Sequence, residues 1–116
     1  MPAPHGAGGA AEAAAMQFLA RQGLTLICSN YRCRPGEIDL VLRDGPSIVF
    51  VEVRLRTNSS FGGAAESIGP RKRARIIAAA RHYLAGKPEV PCRFDVVLLD
   101  RLEPPRIEWI RDAFSA

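Results

Sequence analysis

Two alternating segments joined by a turn signal constrain the fold more than any other feature of the chain. Glu37 to Arg43 alternates polar and apolar residues, Asp44-Gly45 marks a tight turn, and Ser47 to Arg56 is rich in Val, Ile and Phe. This order reads as a β-hairpin. Strand side chains alternate with period two, so Glu37, Asp39 and Val41 point one way and Ile38, Leu40 and Leu42 the other. With Arg43 to Pro46 as the turn, Leu42 lies opposite Ser47, Asp39 opposite Phe50 and Glu37 opposite Glu52. Glu37, Asp39, Phe50, Glu52 and Arg54 then share one face. Asp39 and Glu52 become diagonal neighbours, roughly 7–8 Å apart at Cα.

Carboxylates on one partly buried face repel each other and resist desolvation, and a hard cation removes both penalties. Mg²⁺ suits such a place, since it takes one or two carboxylates, several waters and a phosphate oxygen. The Val53 carbonyl is a further candidate ligand. The plainer alternative is a solvated sheet face whose acids pair with Arg43, Arg54 and Arg56. Two features weigh against it. Glu52 interrupts the apolar run Val49-Phe50-Val51-Glu52-Val53, and Glu12 shares a helix face with Met16 and Leu19. Glu12 also fits a helix-start acid favoured by the dipole.

The rest of the chain supplies two helices and three more strands. A helix is expected from about Ala10 to Gln22, stopped by Gly23. Leu24 to Cys28 reads as a strand, and Asn30 to Gly36 as a polar connection ending in Pro35-Gly36. Thr57 to Gly69 is polar and glycine-rich and reads as a loop long enough to fold over a bound polymer. Pro70 suits the first turn of a helix running to about Leu84, with Ile76, Ile77, Ala80, Tyr83 and Leu84 as its core face. Arg93 to Leu99 reads as a buried strand, and Arg106 to Ile110 as an edge strand. The order is α-β-β-β-α-β-β. The 116 residues fit one domain, taken as 10–112 behind a flexible lead of 1–9.

Charge points to a polyanionic partner. The net charge is +4 and the pI about 9.4. Arg71, Lys72, Arg73, Arg75, Arg81 and His82 crowd the second helix, and only Glu66 offsets them between Val53 and His82. With Arg54 and Arg56 they form a candidate stripe for phosphates; a solvated helix face is the alternative. Few aromatic residues disfavour a base-stacking platform. Three cysteines without a C-x-x-C pair argue for reduced thiols rather than a disulfide framework or a zinc site. No stretch is long and apolar enough for a membrane span. The alanine-rich start has no Lys or Arg before it and contains Glu12, which points to the cytoplasm rather than export.

The segments Gly36-Glu37-Ile38-Asp39-Leu40-Val41, Val49-Phe50-Val51-Glu52-Val53-Arg54-Leu55-Arg56 and Arg93-Phe94-Asp95-Val96-Val97 together resemble the YraN family of small bacterial proteins. Glu12 with Phe18-Leu19, Gly23, Asn30 and Lys72 also fall where that family has such residues, and the match covers roughly Gly8 to Ile110. The family looks like a member of the PD-(D/E)xK nuclease superfamily and resembles archaeal Holliday-junction resolvases. The resemblance implies an α/β single domain, with a restriction-endonuclease-like mixed β-sheet flanked by helices. It implies Asp39 and Glu52 as ligands of Mg²⁺ or Mn²⁺, Glu12 as their support, and a homodimer, because cutting a symmetric junction needs two sites. Arg54 stands where the family usually has Lys. Arginine keeps the charge and holds phosphate with two hydrogen bonds, but it cannot act as a general base. Lys72 is a candidate to reach in from the second helix instead.

The leading expectation is therefore a metal-dependent endonuclease acting on DNA or RNA. Asp39, Glu52, Arg54 and Glu12 would form its catalytic set, and Arg56, Arg71, Lys72 and Arg75 would contact nucleic acid. A nucleic-acid binding protein with little or no catalysis is the first alternative, motivated by Arg54. A protein-interaction module is the second.

Overall fold

The computed structural model describes residues 6–55, 68–102 and 105–116. Their order is helix α1 (Gly6–Arg21), strands β1 (Thr25–Cys33), β2 (Gly36–Asp44) and β3 (Ser47–Leu55), helix α2 (Pro70–Leu84), and strands β4 (Cys92–Leu102) and β5 (Pro105–Phe114). This α-β-β-β-α-β-β order is the expected one. The strands form a single sheet in the order β1-β2-β3-β4-β5. Only β3 and β4 run parallel, and α2 lies in the long crossover that a parallel pair needs; the other neighbours are antiparallel. No helix among the described residues is long and apolar enough to cross a membrane.

The two helices cover opposite faces of the sheet. α1 buries Ala11, Ala15 and Leu19 against Leu40, Leu42, Val49, Val51, Val97 and Leu99. The small alanines let the helix lie close to the strands. α2 buries Ile76, Ala79 and Ala80 against Val41, Ile48, Phe50, Phe94, Val96 and Leu98. Ile77, Tyr83 and Leu84 pack at the edge of that second core, so the face expected from helical periodicity holds, with Ala79 added to it.

Local chemistry sets the element ends. Gly23, at φ +96, takes the left-handed conformation that terminates α1. Leu24 N–H then bonds to Leu19 O at 3.1 Å and Gly23 N–H to Ala20 O at 3.1 Å. This double closure satisfies two terminal carbonyls, and both leucines are buried. At α2, Gly69 is the N-cap and Pro70 begins the helix. Gly36 is buried under α2, where an added Cβ would collide with the Arg75 carbonyl oxygen.

Every strand but β3 is longer than the sequence pattern suggests, and one register differs. β1 continues to Cys33, so the connection to β2 is only Arg34-Pro35. Asp44 pairs with Ser47, which leaves Gly45-Pro46 as the β2–β3 turn. This turn is two residues tighter than the one expected at Arg43 to Pro46. The pairing therefore slides by two, with Leu42 opposite Val49 and Val41 opposite Phe50. A slide of two keeps every side chain on its face, but brings Asp39 level with Glu52.

A second difference concerns the faces themselves. In β2, Leu40 and Leu42 belong to the α1 core, whereas Ile38 and Val41 belong to the α2 core. In β1, Cys28, Tyr31 and Cys33 all pack toward α2. Both strands thus change phase at one step, where Asn30 lies level with Asp39. Asn30 has φ 53, a left-handed conformation that Asn tolerates better than most residues. The expectation that Glu37, Asp39 and Val41 share a face fails here, because the phase change turns Glu37 toward the α1 side. There it meets Arg32 at 3.3 Å.

A carboxylate pair where two strands part

The β2–β3 ladder runs from Asp44–Ser47 to Leu40–Val51 and stops. β3 itself continues, paired to β4 through Leu55. The strands therefore part at the Asp39–Glu52 step. The Val53 N–H, which has lost its partner on β2, donates to Asp39 Oδ2 at 2.8 Å. The side chain takes over where the backbone leaves off, and this fixes one oxygen of Asp39.

Glu52 lies on the α2 side of β3, in phase with Ile48 and Phe50, and is 4% exposed. Its Oε2 is 3.0 Å from Lys72 Nζ, on the first turn of α2. Burial, then the charge of Asp39, then a hydrogen bond between the two carboxyl groups push the Glu52 pKa up to about 7, against the pull of Lys72. One ammonium therefore does not offset two carboxylates in a place poor in water. The first turn of α2 carries Arg71, Lys72 and Arg73 and no acid, a charge order the helix dipole disfavours. Glu52 offsets part of that disadvantage. Arg73 is committed elsewhere: its Nε donates to Ile68 O at 2.9 Å and its guanidinium lies over Phe114.

Glu12 approaches from the other layer. Burial raises its pKa, followed by the charges of Asp39 and Glu37; a hydrogen bond with Asn30 and the charge of Arg32 work the other way. The residue whose backbone shifts the sheet phase thus also holds the Glu12 carboxylate.

The structure brings Asp39, Glu52 and Lys72 together and sets Glu12 within electrostatic reach of Asp39. Arg54 is exposed at the end of β3 and makes no ion pair with another described residue. Arg71 and Arg75 are exposed on α2, on the Glu52 side of the sheet. Arg56, Glu66 and the segment 57–67 lie outside the described residues. The sequence singled out both carboxylates but not their direct apposition. It named Asn30 as a family match but placed it in a polar connection and gave it no role at the site; the residue type itself was the available signal.

Two apposed carboxylates, one buried and one fixed by a backbone N–H, fit the oxygen-rich demand of Mg²⁺ or Mn²⁺, which complete their shells with water and phosphate oxygens. Among the described residues, no group of three or more His, Cys, Asp or Glu side chains is arranged to hold a metal.

A second buried acid does different work. Asp95 is fully buried and accepts from Arg93 Nε, Trp109 Nε1 and the Asp112 backbone N–H at 2.9–3.2 Å. Arg93 also reaches Asp44 at 2.9 Å. Asp95 thereby ties the β2–β3 turn to β5 through Arg93 and supports the left-handed Asp112, at φ 51.

The model of the uncharacterised protein family UPF0102, also termed YraN, matches residues 11–99. A UPF0102 protein of Methylobacillus flagellatus is 55% identical over 106 residues, covering 91% of this chain and 94% of the relative. One from Nitrosomonas europaea is 54% identical, covering 93% and 92%. One from Ralstonia nicotianae is 55% identical, covering 98% and 92%.

Proposed function

Taking as premise that the chain belongs to the uncharacterised protein family UPF0102, we propose that it is a divalent-cation-dependent phosphodiesterase acting on nucleic-acid backbones. The observation that carries this reading is the apposition of Asp39 and Glu52 where β2 and β3 part. A carboxylate pair, one member buried, that a single ammonium leaves under-neutralised is a poor structural device and a good seat for a dication. The ion, when bound, would supply Lewis acidity and an activated water. Asp39 and Glu52 would hold it, with Asp39 oriented by the Val53 N–H.

Lys72 is the cation best placed to meet a phosphate oxygen beside that seat. Arg54, Arg71 and Arg75 are exposed nearby or on the same side of the sheet, and would neutralise flanking phosphates. Glu12 would support Asp39 from the α1 side.

The test is incubation with labelled branched, nicked and single-stranded substrates in Mn²⁺. Cleavage that is lost in Asp39→Ala and Glu52→Gln supports the reading. Absence of cleavage, or cleavage that survives Asp39→Ala, rejects it.

The binding-only alternative keeps one observation in its favour, the small donor set of two carboxylates. Salt-dependent binding without turnover would select it.

A further inference from the structure

Lys72 and a divalent cation have claims on the same atom. The Glu52 carboxylate is almost fully buried, and its Oε2 already has an ammonium at 3.0 Å. Asp39 stands beside it with one oxygen fixed by Val53. With both acids ionised the pair carries two negative charges, and Lys72 returns one. A dication seated between them would neutralise both and would repel the ammonium from its present position.

The two sides of the ion pair are held very differently. Glu52 sits on a strand paired to β4 and is 4% exposed. The Lys72 side chain is 38% exposed on the third residue of α2. Its flexible four-carbon stem can carry the charge to water by bond rotation alone. Ile76, Ala79 and Ala80 keep the helix docked while it does so. Outward rotation adds Lys72 to the exposed Arg71 and Arg75 of the same helix start.

We propose that Lys72 is an exchangeable counter-ion: it occupies Glu52 in the metal-free protein and is released toward phosphate when a divalent cation takes Asp39 and Glu52. The inference rests on the metal seat proposed above. It adds that cation loading and polyanion binding are linked, each strengthening the other by the same factor. The metal-free protein thereby keeps its strongest phosphate contact withdrawn.

The experiment compares wild type, Lys72→Met and Lys72→Arg, after circular dichroism and melting establish that each is folded. Calorimetry with Mn²⁺ alone reads the seat, and fluorescence anisotropy with a short DNA duplex, with and without Mn²⁺, reads the linkage. Removing the competitor should tighten Mn²⁺ binding about tenfold at low salt, whereas Lys72→Arg should stay near wild type. The gain in duplex affinity on adding Mn²⁺ should shrink several-fold in Lys72→Met. Mn²⁺ binding by Lys72→Met alone, with none by wild type, also supports the exchange.

Mn²⁺ affinity that is unchanged or weaker in Lys72→Met overturns the exchange but leaves the metal seat standing. No Mn²⁺ binding by wild type or either variant overturns both the exchange and the seat.

Discussion

The Asp39 side chain accepts the Val53 backbone N–H at 2.8 Å, replacing a strand–strand bond at the step where β2 leaves β3. This gives Asp39 two separable properties, an acceptor and a charge. Asp39→Ala removes both and strands a partly buried N–H, a loss of about 1–3 kcal/mol. Asp39→Asn keeps an acceptor and removes the repulsion on Glu52. Urea unfolding at pH 8 should therefore rank Asp39→Asn above Asp39→Ala, and at or above wild type. The reverse order would show that the charge, not the acceptor, holds the step.

Glu52 gives the metal-free protein a characteristic pH dependence. Its folded pKa of about 7 lies above the ordinary 4.5, so the folded protein retains a proton that the unfolded chain has released. The stabilisation is fully present below pH 4.5 and is lost as pH rises to about 7. Its upper bound is about 3 kcal/mol. The variant to compare is Glu52→Gln, which stays neutral at every pH. Unfolding free energies at pH 5 and pH 8 should differ less in Glu52→Gln than in wild type.

Gly36 tests how α2 is positioned. A methyl group there meets the Arg75 carbonyl oxygen, a backbone atom that cannot rotate away. Gly36→Ala should cost about 1–3 kcal/mol. Hydrogen exchange should quicken in α2 more than in α1, because only α2 rests on Gly36. Equal effects in both helices would contradict the close approach.

Asp95 should be the most costly acid to remove. Asp95→Ala leaves the Trp109 indole and the Asp112 N–H without their acceptor and deprives Arg93 of one of its two acidic partners. A loss of about 3–5 kcal/mol is expected by chemical denaturation. If the melting temperature hardly moves, Asp95 is not the tie between the β2–β3 turn and β5.

If nucleic acid is the partner, Arg71 and Arg75 should act through phosphate alone. Arg71→Ala and Arg75→Ala should weaken binding similarly for unrelated sequences. Each should lower the salt slope by about 1. A slope that stays at the wild-type value would remove these residues from the interface.

Much of the fold was readable because helix and strand periods differ and turns carry their own residues. Gly23 and Pro70 each marked a boundary that the structure keeps, and the Asp44-Gly45 signal fell one residue before the Gly45-Pro46 turn. The two carboxylates were readable as well, because Glu52 interrupts an apolar strand. Their apposition was not. It depends on whether the turn has two residues or four, and Asp44 suits both a turn and a strand end. The phase change was hidden for a different reason. Alternation assumes uninterrupted extended backbone, and a left-handed Asn30 breaks that assumption without altering the hydrophobic pattern nearby. The Lys72–Glu52 contact is tertiary, set by how α2 rests on Gly36, so strand spacing had no bearing on it.

The phase change at Asn30 and Asp39 also makes the sheet a splice of two ribbons with opposite sidedness. On either side of the splice a β2 residue answers to one helix layer. Asp39, at the junction, answers to both: it feels Glu12 from the α1 layer and touches Glu52, which Lys72 holds from the α2 layer. A charge that settles on Asp39 is therefore registered on both sides of a sheet that otherwise insulates them from each other.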